Sequence, residues 1–152
     1  MADLDDVYNL KILELASDIP QSGRLAHADA TASARSKLCG STIEIDLTAE
    51  NGRITAFGQD VKACLLGQAA AAIVGREIVG TTFAEFTEVG AVMRRMLKEG
   101  GSPPQGRWED LALLQPVKDY PHRHASTLLV FDAVDKAIAE IAGTTAPAPA
   151  SP

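Results

Sequence analysis

The residues best suited to chemistry in this chain are its two cysteines, Cys39 and Cys64. A cysteine thiolate binds iron or zinc and is also the sulfur nucleophile that accepts or transfers sulfur. Two cysteines are too few for a disulfide framework, so we interpret them as free thiols or metal ligands. The alternative interpretation is that both are small buried apolar residues, which is common for free cysteines. The sequence has no phosphate-binding G-x-x-x-x-G-K loop, no G-x-G-x-x-G and no H-E-x-x-H.

Each cysteine lies where local structure can activate or present a thiol. Cys64 precedes an alanine-rich stretch that predicts a helix, and a helix N-terminus favours thiolate over thiol through its unpaired N–H groups and positive dipole end. Gly40 follows Cys39 and allows a sharp turn that would present the thiol. The simpler alternative also stands at this point: Cys64 would be a poor helix cap and Gly40 an ordinary turn residue.

Three segments before Cys64 predict the strands of a small antiparallel sheet. Alternating alanines over residues 28–35 indicate a weak first strand, and alternating apolar and polar residues over 42–48 indicate a second with one buried face. Asn51 and Gly52 form a pair typical of a tight hairpin, since both central residues of that turn need positive φ. Residues 53–61 would then form the returning strand.

Most of the remaining chain predicts helices. Thr82 and Glu85 match a capping box, and apolar residues recur at helical spacing after it and after Ser126. The predicted helices cover residues 3–17, 65–76, 82–99, 108–114 and 126–141. The fold class that follows is α+β, with a three-stranded antiparallel sheet packed against helices.

Composition excludes several function classes. The net charge is −6 and the pI about 5.0, which argues against a nucleic-acid binder. No apolar run is long enough to span a membrane, and the acidic N-terminus lacks the basic start of a secretory signal, so we expect a cytoplasmic protein. We expect a single domain over residues 1–142 and a disordered tail rich in alanine and proline over 143–152.

The order of these features resembles the U-type scaffolds of iron–sulfur cluster assembly, the family of IscU, SufU and the N-terminal domain of NifU. That family has a Cys-Gly-Asp turn, a hairpin, a second cysteine at a helix start and a third cysteine at the start of the last helix. Here the matching positions are Cys39-Gly40-Ser41, Cys64 and Ser126. Cys64 and Ser126 are 62 positions apart, a spacing similar to the SufU branch with its insertion. The resemblance extends over residues 7–141.

The resemblance implies a non-enzymatic scaffold that receives sulfur from a cysteine desulfurase and holds iron, an iron–sulfur cluster or, as in the SufU branch, zinc. The candidate metal residues are Cys39, Cys64, Ser126, Ser41 and His124. Two of them depart from the family pattern, because Ser41 replaces the aspartate and Ser126 replaces the third cysteine. A serine hydroxyl is a much poorer ligand than a thiolate, and Ser126 has a structural alternative as an N-cap residue. His124 is the nearest substitute ligand, although it could equally be a solvated loop histidine.

Two other functions remain open from the sequence. One is a degenerate scaffold that binds no metal and only docks a desulfurase or another assembly factor. The other is a zinc-dependent sulfur-accepting transferase like those of the SufU branch, which would need a ligand to replace the missing thiolate. Bound metal and sulfur acceptance distinguish these functions.

Overall fold

The computed structural model describes residues 9–143. We number its helices and strands in chain order and use η for the 3-10 helices. The elements are α1 (Leu10–Ser17), β1 (Ala30–Arg35), β2 (Thr42–Glu50), β3 (Arg53–Lys62), α2 (Leu65–Glu77), α3 (Phe83–Glu99), η1 (Gly106–Asp119), η2 (Pro121–Arg123), α4 (His124–Thr127) and α5 (Leu129–Ala142).

The predicted antiparallel sheet is confirmed, with strand order β1-β2-β3. Ile43, Ile45 and Leu47 of β2 are at most 2% exposed and form the buried face that their alternation predicts. Asn51 and Gly52 both have positive φ, 52° and 77°, as the tight hairpin requires. The sheet places the start of β2 beside the end of β3, because Thr42 pairs with Lys62. Both cysteines lie just beyond this pair.

Helices pack on this sheet and on one another to form the core. Helix α5 contacts β1 and β2, whereas α2 lies against β3, α1 and η1. The alanines of α2, from Ala69 to Ala72, are at most 1% exposed, so their short side chains let neighbouring elements approach closely. Arg94 of α3 forms ion pairs with two buried carboxylates of α5, those of Asp132 and Asp135. These ion pairs join α3 to α5.

The structure corrects two predicted helix boundaries. The last helix does not begin at Ser126: a short helix, α4, contains that residue, and α5 begins at Leu129. The helix predicted over 108–114 is too short, since η1 runs from Gly106 to Asp119 through Pro116. Four buried side chains of η1 recur at every third position, which matches the three residues per turn of a 3-10 helix. They are Trp108, Leu111, Leu114 and Val117.

The predicted segments at the two ends of the chain are described only in part. Of the helix predicted over 3–17, the described part begins at Leu10, with the Asn9 side chain accepting a hydrogen bond from the Ile12 N–H. Residues 3–8 of that prediction and residues 144–152 of the predicted tail lie outside the described residues. Between residues 9 and 143, no helix combines the length and apolar character needed to cross a membrane.

Candidate thiol site

The loop between β1 and β2 presents Cys39 at the surface. The Ser36 N–H donates to the Ser41 carbonyl at 2.8 Å, and the Gly40 N–H donates to the Ser36 carbonyl at 2.9 Å, so the loop is tightly closed. Gly40 has a φ of 73°, in the left-handed region that a residue with a side chain adopts only at a cost. The exposed Cys39 lies on this turn, as the sequence predicts.

Ser41 connects the two cysteines. Its Oγ lies 2.9 Å from the Cys39 Sγ and accepts a hydrogen bond from the Cys64 N–H at 3.1 Å. The residue is 4% exposed, so this hydroxyl is held between the two cysteines rather than in solvent. A neutral hydroxyl therefore contacts the Cys39 sulfur and the Cys64 backbone.

Cys64 is the N-cap residue of α2, which confirms its predicted place at a helix start. Its backbone is extended, with φ −66° and ψ 171°, and its side chain makes no capping hydrogen bond. The thiol instead points to Ser126, with 3.4 Å between the Cys64 Sγ and the Ser126 Oγ. The half-buried sulfur is therefore directed into the site rather than onto its own helix.

Ser126 completes the cluster, and its interpretation as a helix cap is wrong. It is the third residue of α4, whose N-cap position is Arg123. Its Oγ donates to the Arg123 carbonyl at 3.2 Å and faces the Cys64 thiol on its other side. Ser126 is 1% exposed, so its hydroxyl is enclosed beside the Cys64 thiol.

A glycine in α2 allows α4 to approach the cysteines. A Cβ on Gly67 would lie 2.8 Å from the Ala63 Cβ and 3.0 Å from the Ser126 carbonyl oxygen, both closer than normal contacts. Because one of these atoms is backbone, a larger residue could be accommodated only by moving α4 away from α2. The Ser126–Cys64 contact therefore depends on the absence of a side chain at Gly67.

Replacing Gly67 with alanine is expected to destabilise the fold by about 1–3 kcal/mol, the usual cost of overpacking a filled core. Urea denaturation of the purified variants measures this loss. The matched control is Gly90→Ala in α3, where the new Cβ would meet side-chain atoms rather than backbone, the nearest being the Arg94 guanidinium at 3.3 Å. Equal stability of the two variants would contradict the tight α2–α4 contact.

Hydrogen bonding lowers the pKa of the Cys39 thiol from its ordinary value of 9.0 to about 7. Partial burial acts in the opposite direction and would raise this pKa, but hydrogen bonds to the sulfur, chiefly those of the Ser36 and Ser41 hydroxyls, outweigh it. Near neutral pH, a substantial fraction of Cys39 is therefore the reactive thiolate. The sequence indicated a physical reason for thiolate character only at Cys64.

His124 is buried rather than solvated in a loop. It is 6% exposed, and its Nε2 lies 3.0 Å from the Val117 carbonyl and 3.2 Å from the Lys118 carbonyl. Burial lowers the pKa of this imidazole, which favours a neutral ring that donates its Nε2 proton to η1. The Nε2 atom is then not available as a metal ligand, and the histidine instead anchors η1 to α4.

Sequence reasoning missed Ser36. Its Oγ lies 3.5 Å from the Cys39 Sγ, and the residue is 1% exposed. The available signal was its position three residues before Cys39 in a short connection, where one turn of chain brings such residues together. The cluster around the two sulfurs thus contains three serine hydroxyls, those of Ser36, Ser41 and Ser126.

The donor atoms of this cluster do not fit a resident metal ion. A structural zinc site needs four good ligands, and ordinary iron–sulfur clusters use four thiolates, whereas the site offers two sulfurs and hydroxyls that stay protonated near neutral pH. Over residues 9–143, no three or more histidine, cysteine, aspartate or glutamate side chains are grouped so that they could hold a metal ion. The arrangement favours thiol chemistry over stable metal binding.

No protein-family model matches this chain. It is 46% identical to a solved structure titled as a nitrogen-fixing NifU-like protein (N-terminal) from Brucella abortus, with a TM-score of 0.91 and coverage of 93% of this chain and 99% of that one. The iron–sulfur cluster assembly scaffold protein IscU of Thermotoga maritima is 23% identical over 135 residues, which are 89% of this chain and 94% of the relative.

A second solved structure shares the fold at lower identity. It is titled as a putative iron–sulfur cluster assembly scaffold protein for the SUF system from Fervidobacterium islandicum AW-1. Its TM-score is 0.81 at 18% identity, and the match covers 90% of this chain and 99% of that one. This chain therefore shares its fold with both of these solved structures.

Proposed function

This chain belongs to the U-type, NifU-like family of iron–sulfur cluster assembly scaffolds, and from that membership we propose that it accepts sulfur during iron–sulfur cluster assembly. Proteins of this family are scaffolds rather than enzymes, so we expect stoichiometric acceptance and transfer rather than turnover of a small-molecule substrate. The observation that carries the proposal is the contact of the Ser41 hydroxyl with both the Cys39 sulfur and the Cys64 backbone.

Cys39 is the proposed acceptor residue. It is exposed on a closed loop, and its pKa of about 7 provides thiolate at neutral pH. In the proposed reaction, this thiolate attacks the outer sulfur of a persulfide on a cysteine desulfurase. A new sulfur–sulfur bond forms at Cys39 while the sulfur–sulfur bond of the donor breaks, and the donor cysteine leaves as a thiolate. The desulfurase is thus the proposed partner, and sulfane sulfur is the substrate.

Iron is proposed as a weakly held cargo. Cys39 and Cys64 would supply the thiolate ligands, and the serine hydroxyls around them would contribute little. Of the two alternatives from the sequence, the zinc-dependent transferase is disfavoured, because the donor atoms do not fit a resident zinc ion. The other alternative, a docking protein that binds no metal, agrees with this poor set of metal ligands. It differs from the proposal because its cysteines would accept no sulfur.

The test is transfer of labelled sulfur from a cysteine desulfurase supplied with ³⁵S-cysteine. We expect label on the full-length chain and its loss in Cys39→Ser, because the serine hydroxyl stays protonated and cannot act as the sulfur nucleophile. Ser102→Ala, in the exposed loop after α3, is the matched control and should accept label like the parent. If the parent chain takes up no label, the proposal is wrong and the docking protein is the remaining function.

A further inference from the structure

We propose that Cys64 releases the sulfur accepted by Cys39 as hydrosulfide and forms a Cys39–Cys64 disulfide as it does so. This inference rests on the proposed function, since Cys39 must first carry sulfur. It adds an activity to the site: reduction of sulfane sulfur to sulfide, with the two thiols of the chain as the electron source.

The two cysteines meet through shared hydroxyl contacts. The Ser126 hydroxyl lies 3.4 Å from the Cys64 Sγ and also contributes to the lowered pKa of Cys39, so it lies near both sulfurs. On the other side, the Ser41 Oγ contacts the Cys39 Sγ at 2.9 Å and the Cys64 N–H at 3.1 Å. Both contacts are made by small serine side chains.

The backbone also brings the two cysteines to one end of the sheet. Thr42 and Lys62 are paired across β2 and β3, Cys39 lies shortly before the first of them and Cys64 shortly after the second. A disulfide requires Cα atoms about 4.4–6.8 Å apart, so the two cysteines must come close for this bond to form. Gly40, with its positive φ, allows the loop to turn Cys39 toward α2.

Exposure divides the roles of the two thiols. Cys39 is exposed and can reach a persulfide on a large donor, whereas Cys64 is half-buried behind it at the start of α2. The third position of the cluster is Ser126, which is 1% exposed and cannot carry sulfur or be oxidised to a disulfide. Cys64 is therefore the one thiol of the chain placed to attack a persulfide on Cys39.

The release step balances without an outside reductant. The Cys64 thiol loses its proton and attacks the Sγ of the Cys39 persulfide, forming the Cys39–Cys64 bond. The bond between the Cys39 Sγ and the outer sulfur breaks, and the outer sulfur leaves with the electron pair as hydrosulfide. Two thiols are oxidised to a disulfide while one sulfane sulfur is reduced to sulfide. A dithiol reductant then restores both cysteines for another round.

Glutathione persulfide, a small-molecule sulfane donor, tests this step without a desulfurase. The reduced full-length protein is mixed with it anaerobically, freed of donor, and followed by intact mass and by sulfide release. The parent should first gain one sulfur atom, then lose it and two hydrogens while releasing about one sulfide per chain. Cys64→Ser and Cys64→Ala should retain the added sulfur and release at least about tenfold less sulfide.

Three results would overturn the release step. A persulfide on the parent that is as long-lived as that on both Cys64 variants would overturn the release step and leave sulfur acceptance intact. Disulfide-linked dimers on a non-reducing gel, in place of the intramolecular product, would also overturn it. If neither the parent nor the Cys64 variants gain sulfur while a control thiol protein does, sulfur acceptance itself fails, and the release step fails with it.

Discussion

Replacing Ser126 with cysteine is expected to raise the affinity of the chain for Zn²⁺ by roughly a hundredfold, since losing a residue that merely orients a ligand already costs about 10- to 100-fold. The new sulfur would lie next to the Cys64 thiol, because the present Ser126 Oγ is 3.4 Å from the Cys64 Sγ. A third thiolate changes the donor set from two good ligands to three, which is the number that catalytic zinc sites use. Competition with a chromophoric chelator measures the affinity.

Ser102→Cys is the matched control for this gain, because it also adds a third thiol but places it in the exposed loop after α3. Its zinc affinity should remain that of the parent. Equal affinities of the Ser126→Cys and Ser102→Cys variants would contradict the placement of Ser126 as the third corner of the site. If the gain in zinc affinity disappears when Ser126→Cys is combined with Cys64→Ser, Cys64 is one of the zinc ligands and the zinc site lies in this cluster.

Replacing Ser41 with alanine is expected to raise the pKa of Cys39 from about 7 toward its ordinary value of 9.0. The variant loses the hydroxyl that lies 2.9 Å from the Cys39 Sγ, and this hydroxyl stabilises the thiolate form. A rise of one unit lowers the thiolate fraction at pH 7 and slows alkylation by iodoacetamide about fivefold at that pH. Above pH 9, both proteins hold mainly thiolate and their rates should converge.

The alkylation rate of Cys39 as a function of pH, read by mass spectrometry of the labelled peptide, tests this effect. Ser36→Ala is an internal comparison that removes the other hydroxyl in contact with the sulfur, at 3.5 Å, and should shift the profile in the same direction. Ser17→Ala, on the exposed end of α1, should leave the profile unchanged. An unshifted profile in Ser41→Ala would show that its hydroxyl does not stabilise the thiolate.

The sheet could be predicted from the sequence because its signals are local. Alternation over 42–48 and the Asn51-Gly52 pair each specify a conformation within a few residues, and both predictions are confirmed. The gathering of Cys39, Cys64 and Ser126 could be expected only through the family resemblance. These three positions lie on a loop, a helix start and a later helix, and tertiary packing alone brings them together.

The boundary of the last helix could not be predicted, because a local preference competed with a tertiary contact. Serine is a favourable N-cap residue, which made Ser126 the natural start. In the structure, Gly67 allows α4 to pack closely against α2, and Ser126 lies inside this short helix rather than at its start. His124 was interpreted as an exposed loop residue, but it is buried against η1. The buried residues of η1 repeat every three positions, which differs from the α-helical repeat on which the helix predictions were based.

The lowered pKa of Cys39 was also beyond sequence reasoning. It arises chiefly from the Ser36 and Ser41 hydroxyls, which lie 3.5 Å and 2.9 Å from the sulfur in the folded loop. The sequence offered a helix N-terminus at Cys64 as its reason for thiolate character, and that effect stays a prediction. The side-chain environment of a loop cysteine becomes visible only once the loop is closed by its own backbone hydrogen bonds.

The central claim is that Cys39 accepts sulfur without a resident metal. The most direct measurement is transfer of ³⁵S from a cysteine desulfurase to the full-length chain in the presence of EDTA, counting both protein-bound label and released sulfide. We expect the same total sulfur transfer with EDTA as with added Zn²⁺, and we expect this transfer to be lost in Cys39→Ser. Transfer that occurs only when Zn²⁺ is supplied would contradict it and identify a zinc-dependent acceptor instead.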